Sequence, residues 1–254
     1  MMEQTIEKLV TMKLFGMVNA YEEQKKQPDM KGLSFEERFS LIVDQESLFK
    51  DNKRLSRLLK MAEFRIKDAC LENINYKAGR SLEKKEVMEL SRCQWIKDNL
   101  NVLITGPASA GKSHLACALG NKACREGFSV KYYRVPFLFE FLTQSRIDGS
   151  HLKVLDRISH FDLLILDDFG LSPLSPDERK DFLEIVEDRY DCRSTIITSQ
   201  YPVEHWHELI GDPSVADAIL ERIVHNSYKF RFKEGANSIR KEKADLKLIK
   251  GKES

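Results

Sequence analysis

The chain has 254 residues, of which 41 are Lys or Arg and 40 are Asp or Glu, giving a formal net charge of +1. So small a net charge excludes binding to DNA by global electrostatics, and any nucleic-acid surface must be a local basic patch. No apolar run is long enough to cross a bilayer, and the charged N-terminus lacks the order of a signal peptide. We therefore expect a cytoplasmic protein without a membrane span.

The first part of the chain is predicted to be helical. Apolar residues recur at three- and four-residue steps over residues 6–21 and predict one amphipathic helix. Ser34 and Glu37 form a capping-box pattern that starts a second helix, and a third is expected over residues 50–67. The length favours two domains, so residues 1–98 are predicted to form a helical domain for partner or DNA interaction.

The five cysteines form no C-x-x-C pair, which argues against a disulfide framework and a zinc site.

Residues 50–67 are the most basic part of the chain. Seven basic residues occur there with only two acidic ones. Lys53, Arg57 and Lys60 fall on one face of the predicted helix, away from a stripe of leucines. That face fits contact with DNA phosphates and equally fits an ordinary solvated surface, so both interpretations stay open.

A glycine-rich turn follows a short apolar strand predicted over residues 102–105. It matches the pattern G-x-x-x-x-G-K-[ST], in which glycines let consecutive N–H groups turn toward a phosphate. The following helix directs its positive end to the same place, Lys112 can reach the outer phosphates, and the Ser113 hydroxyl can ligate magnesium. The predicted ATP site consists of Gly106, Pro107, Ala108, Ser109, Ala110, Gly111, Lys112, Ser113 and His114.

Two further predicted strands end in polar residues, where open α/β sheets bind their ligands. Residues 163–166 are apolar and are followed by Asp167 and Asp168, the arrangement of a Walker B element. Asp167 is predicted to hold magnesium through water, and Asp168 to orient or polarise the attacking water. A strand over residues 194–198 is followed by the polar Ser199 and Gln200. Thr198 and Ser199 are candidate sensors of the terminal phosphate; ordinary turn polarity is the alternative there.

Several stretches together resemble the IstB-like ATPases, the helper proteins of two-gene insertion-sequence transposition systems, which are related to the helicase loader DnaC. The stretches span residues 35–38, 106–117, 163–171, 194–200 and 216–222. The resemblance implies an α/β fold of the AAA+ type, with a parallel sheet sandwiched by helices over residues 99–232. A short helical lid and a charged tail are implied over residues 233–254.

The same resemblance implies roles for individual basic residues. Arg222 corresponds to an arginine finger that reaches the nucleotide of a neighbouring subunit, and Arg240 corresponds to a second sensor in the lid. Two short helices, predicted over residues 136–144 and 152–159, correspond to an insertion that lines a DNA channel. DNA contact is therefore also expected at Arg146, Lys153 and Arg157.

Together these inferences predict an ATP- and Mg²⁺-dependent ATPase that assembles as a homo-oligomer on double-stranded DNA and assists the transposase of the same element. The expected catalytic residues are Lys112, Asp167, Asp168, Thr198 and Arg222. Many AAA+ proteins have Glu in place of Asp168, so slow hydrolysis is implied. A replicative helicase loader is the alternative. A nucleotide-regulated DNA-binding protein with negligible turnover stays open, whereas a small-molecule kinase would need an acceptor site that the sequence does not display.

Overall fold

A computed structural model of the chain describes residues 2–27, 30, 32–74, 76 and 83–233. Its contacts divide the chain into two compact units, Met1–Arg57 and Leu58–Ser254. Among the described residues, every helix falls short of the length or the apolar character that spanning a bilayer requires.

The N-terminal unit contains the helices α1 (Met2–Thr11) and α2 (Phe15–Lys26) and most of α3 (Phe35–Ala62). The single helix predicted over residues 6–21 is wrong, because the chain turns at Lys13, whose φ is +60°. The turn lets α2 approach α3 closely: a Cβ on Gly16 would lie 2.7 Å from the carbonyl oxygen of Gln45. The second and third predicted helices are one helix of 28 residues, since neither Gly nor Pro interrupts it.

The second unit is built around a five-stranded parallel sheet. Its strands are β1 (Asn101–Thr105), β2 (Val130–Arg134), β3 (Leu163–Phe169), β4 (Ser194–Ser199) and β5 (Ser227–Arg231). The strand order is β2-β3-β4-β1-β5, with parallel pairing throughout. Because β4 lies between β1 and β3, Thr198 is placed between the glycine-rich turn after β1 and the two carboxylates on β3.

Helices cover both faces of this sheet. They are α4 (Lys84–Leu90), α5 (Gln94–Lys97), α6 (Lys112–Arg125), α7 (Val135–Ile147), α8 (His151–Ser159), α9 (Pro176–Arg189), α10 (Trp206–Ile210) and α11 (Pro213–Val224). Successive strand residues point to opposite faces. Leu164 therefore joins an apolar core with α7 to α11, whereas Ile165 meets α6 at Gly120. The predicted helix–sheet–helix sandwich is confirmed.

Residues 58–98 belong to the same compact unit as the sheet. Phe64 is buried against α6, where a Cβ on Gly120 would lie 2.6 Å from its ring. Trp95 is buried as well, and the Ser194 hydroxyl donates to its carbonyl oxygen at 3.4 Å. The contacts therefore divide the chain earlier than the boundary predicted after residue 98, because these aromatic residues pack on the core.

Strand β5 has no counterpart in the sequence analysis. It pairs with β1 at the edge of the sheet, in register from Asn101 and Ser227 to Thr105 and Arg231. Phe230 is its one buried residue, so the strand lacks the apolar run that marks β3. The lid helix predicted within residues 233–254 lies outside the described residues, apart from Lys233.

Candidate nucleotide-binding site

The glycine-rich turn connects β1 to α6 in the conformation that the sequence predicts. Gly106 has φ +141°, Gly111 has φ +110°, and Ser109 adopts φ +63° between them. A Cβ at Gly106 would lie 2.7 Å from the Cβ of Phe232, so a side chain has no room there. Left-handed geometry at these positions turns backbone N–H groups toward one side, above the N-terminus of α6. The turn thus forms a cradle for anionic oxygens.

Lys112 lies at the mouth of this cradle. Its ammonium group donates hydrogen bonds to the carbonyl oxygens of Gly106 at 2.8 Å and Pro107 at 2.9 Å. Burial lowers the pKa of the ammonium group, and the carboxylates of Asp168 and Asp167 oppose that shift. The Lys112 ammonium group is therefore hydrogen-bonded to neutral carbonyl oxygens, which an anionic phosphate can replace as its partner.

Asp167 is completely buried, and three hydroxyl groups donate to its carboxylate. The donors are Ser113 at 2.9 Å, Tyr132 at 2.6 Å and Thr198. Burial raises the pKa of Tyr132, and the Asp167 carboxylate raises it further, so the phenol stays protonated as a donor. Asp167 is thus fixed beside Ser113 by residues from two neighbouring strands.

Asp168 has a left-handed backbone, with φ +64°. Its N–H donates to the hydroxyl oxygen of Thr198 at 3.1 Å. Two guanidinium groups contact its carboxylate, Arg134 at 3.0 Å and Arg65 at 3.4 Å. An αL conformation is rare for a residue with a Cβ, and Asp168 adopts it where its side chain lines the open cleft.

A cleft of about 490 Å³ opens in front of these groups. Predicted residues that line it are Ala108, Ser109, Gly111, Lys112, Ser113, His114 and Asp168. Arg65, Ile66, Arg134 and Leu171 also line it and were missed by the sequence analysis, whereas Gln200, which lines it too, was expected among the polar residues at this edge of the sheet. Arg134 could have been found, because it ends a strand at the ligand-binding edge of the sheet. Arg65 carries no such signal.

Arg222 does not line this cleft. Its guanidinium group contacts Glu187 at 3.0 Å and donates to the carbonyl oxygen of Ala218 at 2.7 Å. The side chain lies near the ring of Tyr190, on the surface formed by α9 and α11. Within one chain, therefore, Arg222 is not assembled with the other predicted catalytic residues. Arg240 lies outside the described residues.

The predicted DNA-contacting residues differ in their surroundings. Lys53, Arg57 and Lys60 are exposed on α3, and Lys153 and Arg157 are exposed on α8. Arg146 forms an ion pair with the buried carboxylate of Asp181, which His151 also contacts at 3.1 Å. Arg146 thus ties α7 to α9, while Lys153 and Arg157 present their charges to solvent.

Comparison with known proteins places the site in a family. The chain matches the model for IstB-like ATP binding proteins over residues 7–246. A putative insertion sequence ATP-binding protein, y4pL of Sinorhizobium fredii (strain NBRC 101917 / NGR234), is 45% identical over 225 residues, 89% of this chain and 91% of that protein. The putative ATP-binding protein of insertion sequence IS1162 from Pseudomonas fluorescens is 43% identical over 202 residues, 80% of this chain and 87% of that protein.

A solved structure supports the fold. The crystal structure of the DnaC helicase loader matches with a TM-score of 0.54 and 22% identity, over 65% of this chain and 97% of that chain. This likeness bears on the fold and not on the partner. The resemblance inferred from the sequence is confirmed, and the chain belongs to the IstB-like ATP-binding protein family, as an ATPase with the AAA+ fold.

Proposed function

We propose that this protein is an ATP-dependent DNA-binding ATPase that assembles on double-stranded DNA and assists the transposase of its insertion sequence. The observation that carries the proposal is the convergence of Lys112, Ser113 and Asp168 at one cleft, with the buried Asp167 and Thr198 hydrogen-bonded to Ser113 and Asp168. The chain's relatives are named as insertion sequence ATP-binding proteins. ATP hydrolysis at this cleft would reset the assembly after each round.

Mg²⁺ fits the donors beside the phosphate cradle. It prefers oxygen ligands and commonly binds to one or two carboxylates together with substrate phosphates. The Ser113 hydroxyl and the Asp167 carboxylate lie 2.9 Å apart and would supply the protein share of such a site. When bound, the ion would neutralise charge on the phosphates. Tyr132 and Thr198 keep the Asp167 carboxylate in place through their hydroxyl groups.

Hydrolysis requires a water molecule positioned in line with the terminal phosphate. In our proposal Asp168 orients that water, because its carboxylate faces the cleft. Thr198 fixes the backbone N–H of Asp168 and so sets the direction of its side chain. The aspartate side chain is one methylene shorter than that of glutamate, which supports slow turnover.

The arginine finger is proposed to come from a second copy of the chain. Arg222 lies outside the cleft of its own chain and is held by Glu187, so a neighbouring subunit would have to receive it. A cation that stabilises transition-state charge is worth about 10³- to 10⁵-fold in related phosphoryl transfers. We expect Arg222→Ala to retain ATP binding and lose hydrolysis. Normal turnover in that variant would remove the finger from the mechanism.

DNA contact is proposed at exposed basic residues on two helices, Lys53, Arg57 and Lys60 on α3 and Lys153 and Arg157 on α8. Each phosphate contact that is lost should reduce the slope of log K against log salt by about 0.9 for duplex DNA. Replacing the three α3 residues by Gln should therefore flatten the salt dependence if that patch dominates. An unchanged slope would assign the contact to α8, where the pair Lys153→Gln and Arg157→Gln provides the matched variant.

The direct test is ATP hydrolysis with and without long non-specific duplex DNA, over a range of protein concentrations. DNA-stimulated turnover that rises cooperatively with concentration is expected, and Lys112→Ala provides the blank. Turnover that changes neither with DNA nor with protein concentration would contradict the assembly model and leave a simple ATPase. ATP-dependent DNA binding without stimulated turnover would favour the nucleotide-regulated DNA-binding alternative.

A helicase loader is the second candidate, favoured only by the fold shared with the DnaC helicase loader. The two candidates differ in the partner. Pull-down with the full-length protein, using the element's transposase and the host replicative helicase in parallel, distinguishes them. Binding to the helicase alone would replace our proposal with the loader, and transposase binding would support it.

A further inference from the structure

Two arginines from distant parts of the chain meet at one carboxylate in the ATP cleft. Arg134 stands at the end of β2, beside β3, whereas Arg65 precedes Asp168 by 103 residues. Nη1 of Arg65 lies 3.4 Å from Oδ2 of Asp168 and 3.7 Å from Oδ2 of Asp167. Arg65 and Arg134 also line the cleft together with Lys112. The cleft therefore contains two cations beyond those of the phosphate-loop motif.

Contacts of the two preceding residues, Phe64 and Glu63, fix the position of Arg65. Phe64 is buried against α6 at Gly120, where only a hydrogen atom fits between the helix and the ring. The carboxylate of Glu63 accepts a hydrogen bond at 2.7 Å from Lys131, itself a buried residue of β2. Since the residues on its N-terminal side are held by α6 and by β2, Arg65 extends into the cleft from a fixed backbone.

The guanidinium group of Arg65 is suited to exchange the Asp168 carboxylate for another anion. The side chains of Arg65 and Asp168 are 38% and 17% exposed, and a partly exposed ion pair of this kind stabilises little. The terminal phosphate of ATP carries more charge than a carboxylate and offers three acceptor oxygens, which guanidinium groups bind strongly. Bound ATP would therefore compete with Asp168 for the guanidinium group, and ADP would not, because it lacks that phosphate.

From this geometry we infer that Arg65 senses the terminal phosphate: it pairs with Asp168 when that phosphate is absent and moves to the phosphate when ATP binds. The inference requires only ATP binding at this cleft and does not depend on DNA or a transposase. The exchange has two effects. It adds a contact that ATP makes and ADP does not, and it removes one of the two guanidinium groups from Oδ2 of Asp168, leaving Arg134 to hold the carboxylate that orients water.

The test is equilibrium binding of ATP and of ADP to the full-length protein in the absence of DNA. Arg65→Gln should weaken ATP binding about 10-fold or more, the usual effect of losing a charge-assisted hydrogen bond. Its affinity for ADP should stay within about twofold. Arg65→Lys, which keeps the charge without the planar fork, should retain part of the preference for ATP. Lys67→Gln removes an exposed positive charge two residues away and should change neither affinity.

A double-mutant cycle with Asp168→Asn distinguishes the exchange of Arg65 between Asp168 and the phosphate from simple repulsion between the Asp168 carboxylate and the phosphate. In the wild type this substitution should strengthen ATP binding several-fold, since Arg65 loses its competing partner. In the Arg65→Gln background the gain should shrink. Equal gains in both backgrounds, or an Arg65→Gln variant whose ATP and ADP affinities fall by the same factor, would overturn the inference. Lys112→Ala should lose binding of both ATP and ADP, which tests whether nucleotides bind at this cleft at all. Failure of that test would contradict the binding site, whereas the outcomes above concern only the role of Arg65, so the two failures are distinguishable.

Discussion

The hydroxyl group of Thr198 on β4 donates a hydrogen bond to the buried carboxylate of Asp167 on β3. The same oxygen accepts the backbone N–H of Asp168 at 3.1 Å. One side chain on the central strand therefore holds both acidic residues, the one proposed for magnesium and the one proposed for water. Strand order makes this possible, because β4 separates β3 from the phosphate-loop strand β1.

Replacing Thr198 by Val should damage hydrolysis far more than ATP binding. The change keeps the shape but removes the hydroxyl, which leaves the Asp168 N–H without its acceptor and loosens both carboxylates. We expect kcat to fall about 10- to 100-fold, in the range of a lost positioning contact. Thr198→Ser keeps the hydroxyl and should retain most activity. Steady-state hydrolysis and ATP affinity, measured side by side, would contradict this role if both changed by the same factor.

Tyr132→Phe should lower the apparent affinity of the ATPase for Mg²⁺. The phenol donates to Asp167 at 2.6 Å, and such partners of a metal-binding carboxylate typically affect metal affinity or activity by about 10- to 100-fold. We expect the half-saturating Mg²⁺ concentration to rise by about 10-fold. The aromatic ring remains, so the melting temperature should hardly change. An unaltered magnesium titration would mean that Ser113 and Thr198 suffice to hold Asp167.

Arg189 should be one of the most important residues for stability. It is 2% exposed, and its guanidinium group donates to carbonyl oxygens at the end of α8 and at the start of β4. Lys cannot span this set of acceptors from a single nitrogen. We expect Arg189→Lys to lower the free energy of unfolding by about 3 kcal/mol, because several buried acceptors lose their donor.

Denaturant unfolding checks this expectation, and Glu184→Gln on the exposed face of the same helix is the matched control. The control should shift stability by no more than about 0.5 kcal/mol. If Arg189→Lys changed the free energy of unfolding as little as the control, the carbonyl groups would have found other donors. Arg189 would then not be what holds α8 against the sheet.

The buried cysteines should make the protein less stable at alkaline pH. Burial raises the pKa of Cys117 to about 12 and that of Cys124 to about 12, from 9.0. Below pH 9 both thiols are protonated in the folded and unfolded chain, so they contribute no pH dependence. As the pH rises from 9 toward 12, the unfolded chain loses these protons first and is favoured.

Linkage gives about 1 kcal/mol of lost stability per thiol at pH 10. Unfolding at pH 8 and pH 10 measures the loss, and the difference should be smaller in Cys124→Ala than in the wild type. An identical pH dependence in the two proteins would exclude Cys124 as a contributor. At pH 8 a thiol reagent should react with the exposed Cys192 long before it reaches Cys93, Cys117 or Cys124, which are buried.

The nucleotide site could be predicted largely from the sequence, because its chemistry is local. The residues from Gly106 to Ser113 follow one another, and Asp167 ends an apolar strand. Sheet topology then brings these strand ends together without further information. The expected partners of the site, DNA and a second subunit, stay predictions, since neither leaves a local pattern of comparable specificity.

Contacts that join distant segments could not be predicted in the same way. Arg65 is one of several basic residues in a basic segment, and only the packing of Phe64 against Gly120 reveals that it enters the cleft. The break at Lys13 likewise has no Gly or Pro to announce it, because the reason for it is the close approach of Gly16 to α3. Strand β5 was missed since its burial is limited to Phe230.

The burial of Phe64 beneath α6 constrains how this architecture can be recombined. A chimera that joins the N-terminal helices of one relative to the ATPase of another at residue 98 would exchange Phe64 and Arg65 along with the helices, and the imported aromatic would have to fit a foreign groove at Gly120. A junction near residue 57 leaves that groove with its own occupant. Lineages that acquire new N-terminal units by recombination should therefore carry their crossover points before Leu58, inside the long helix α3 rather than at the edge of the sheet.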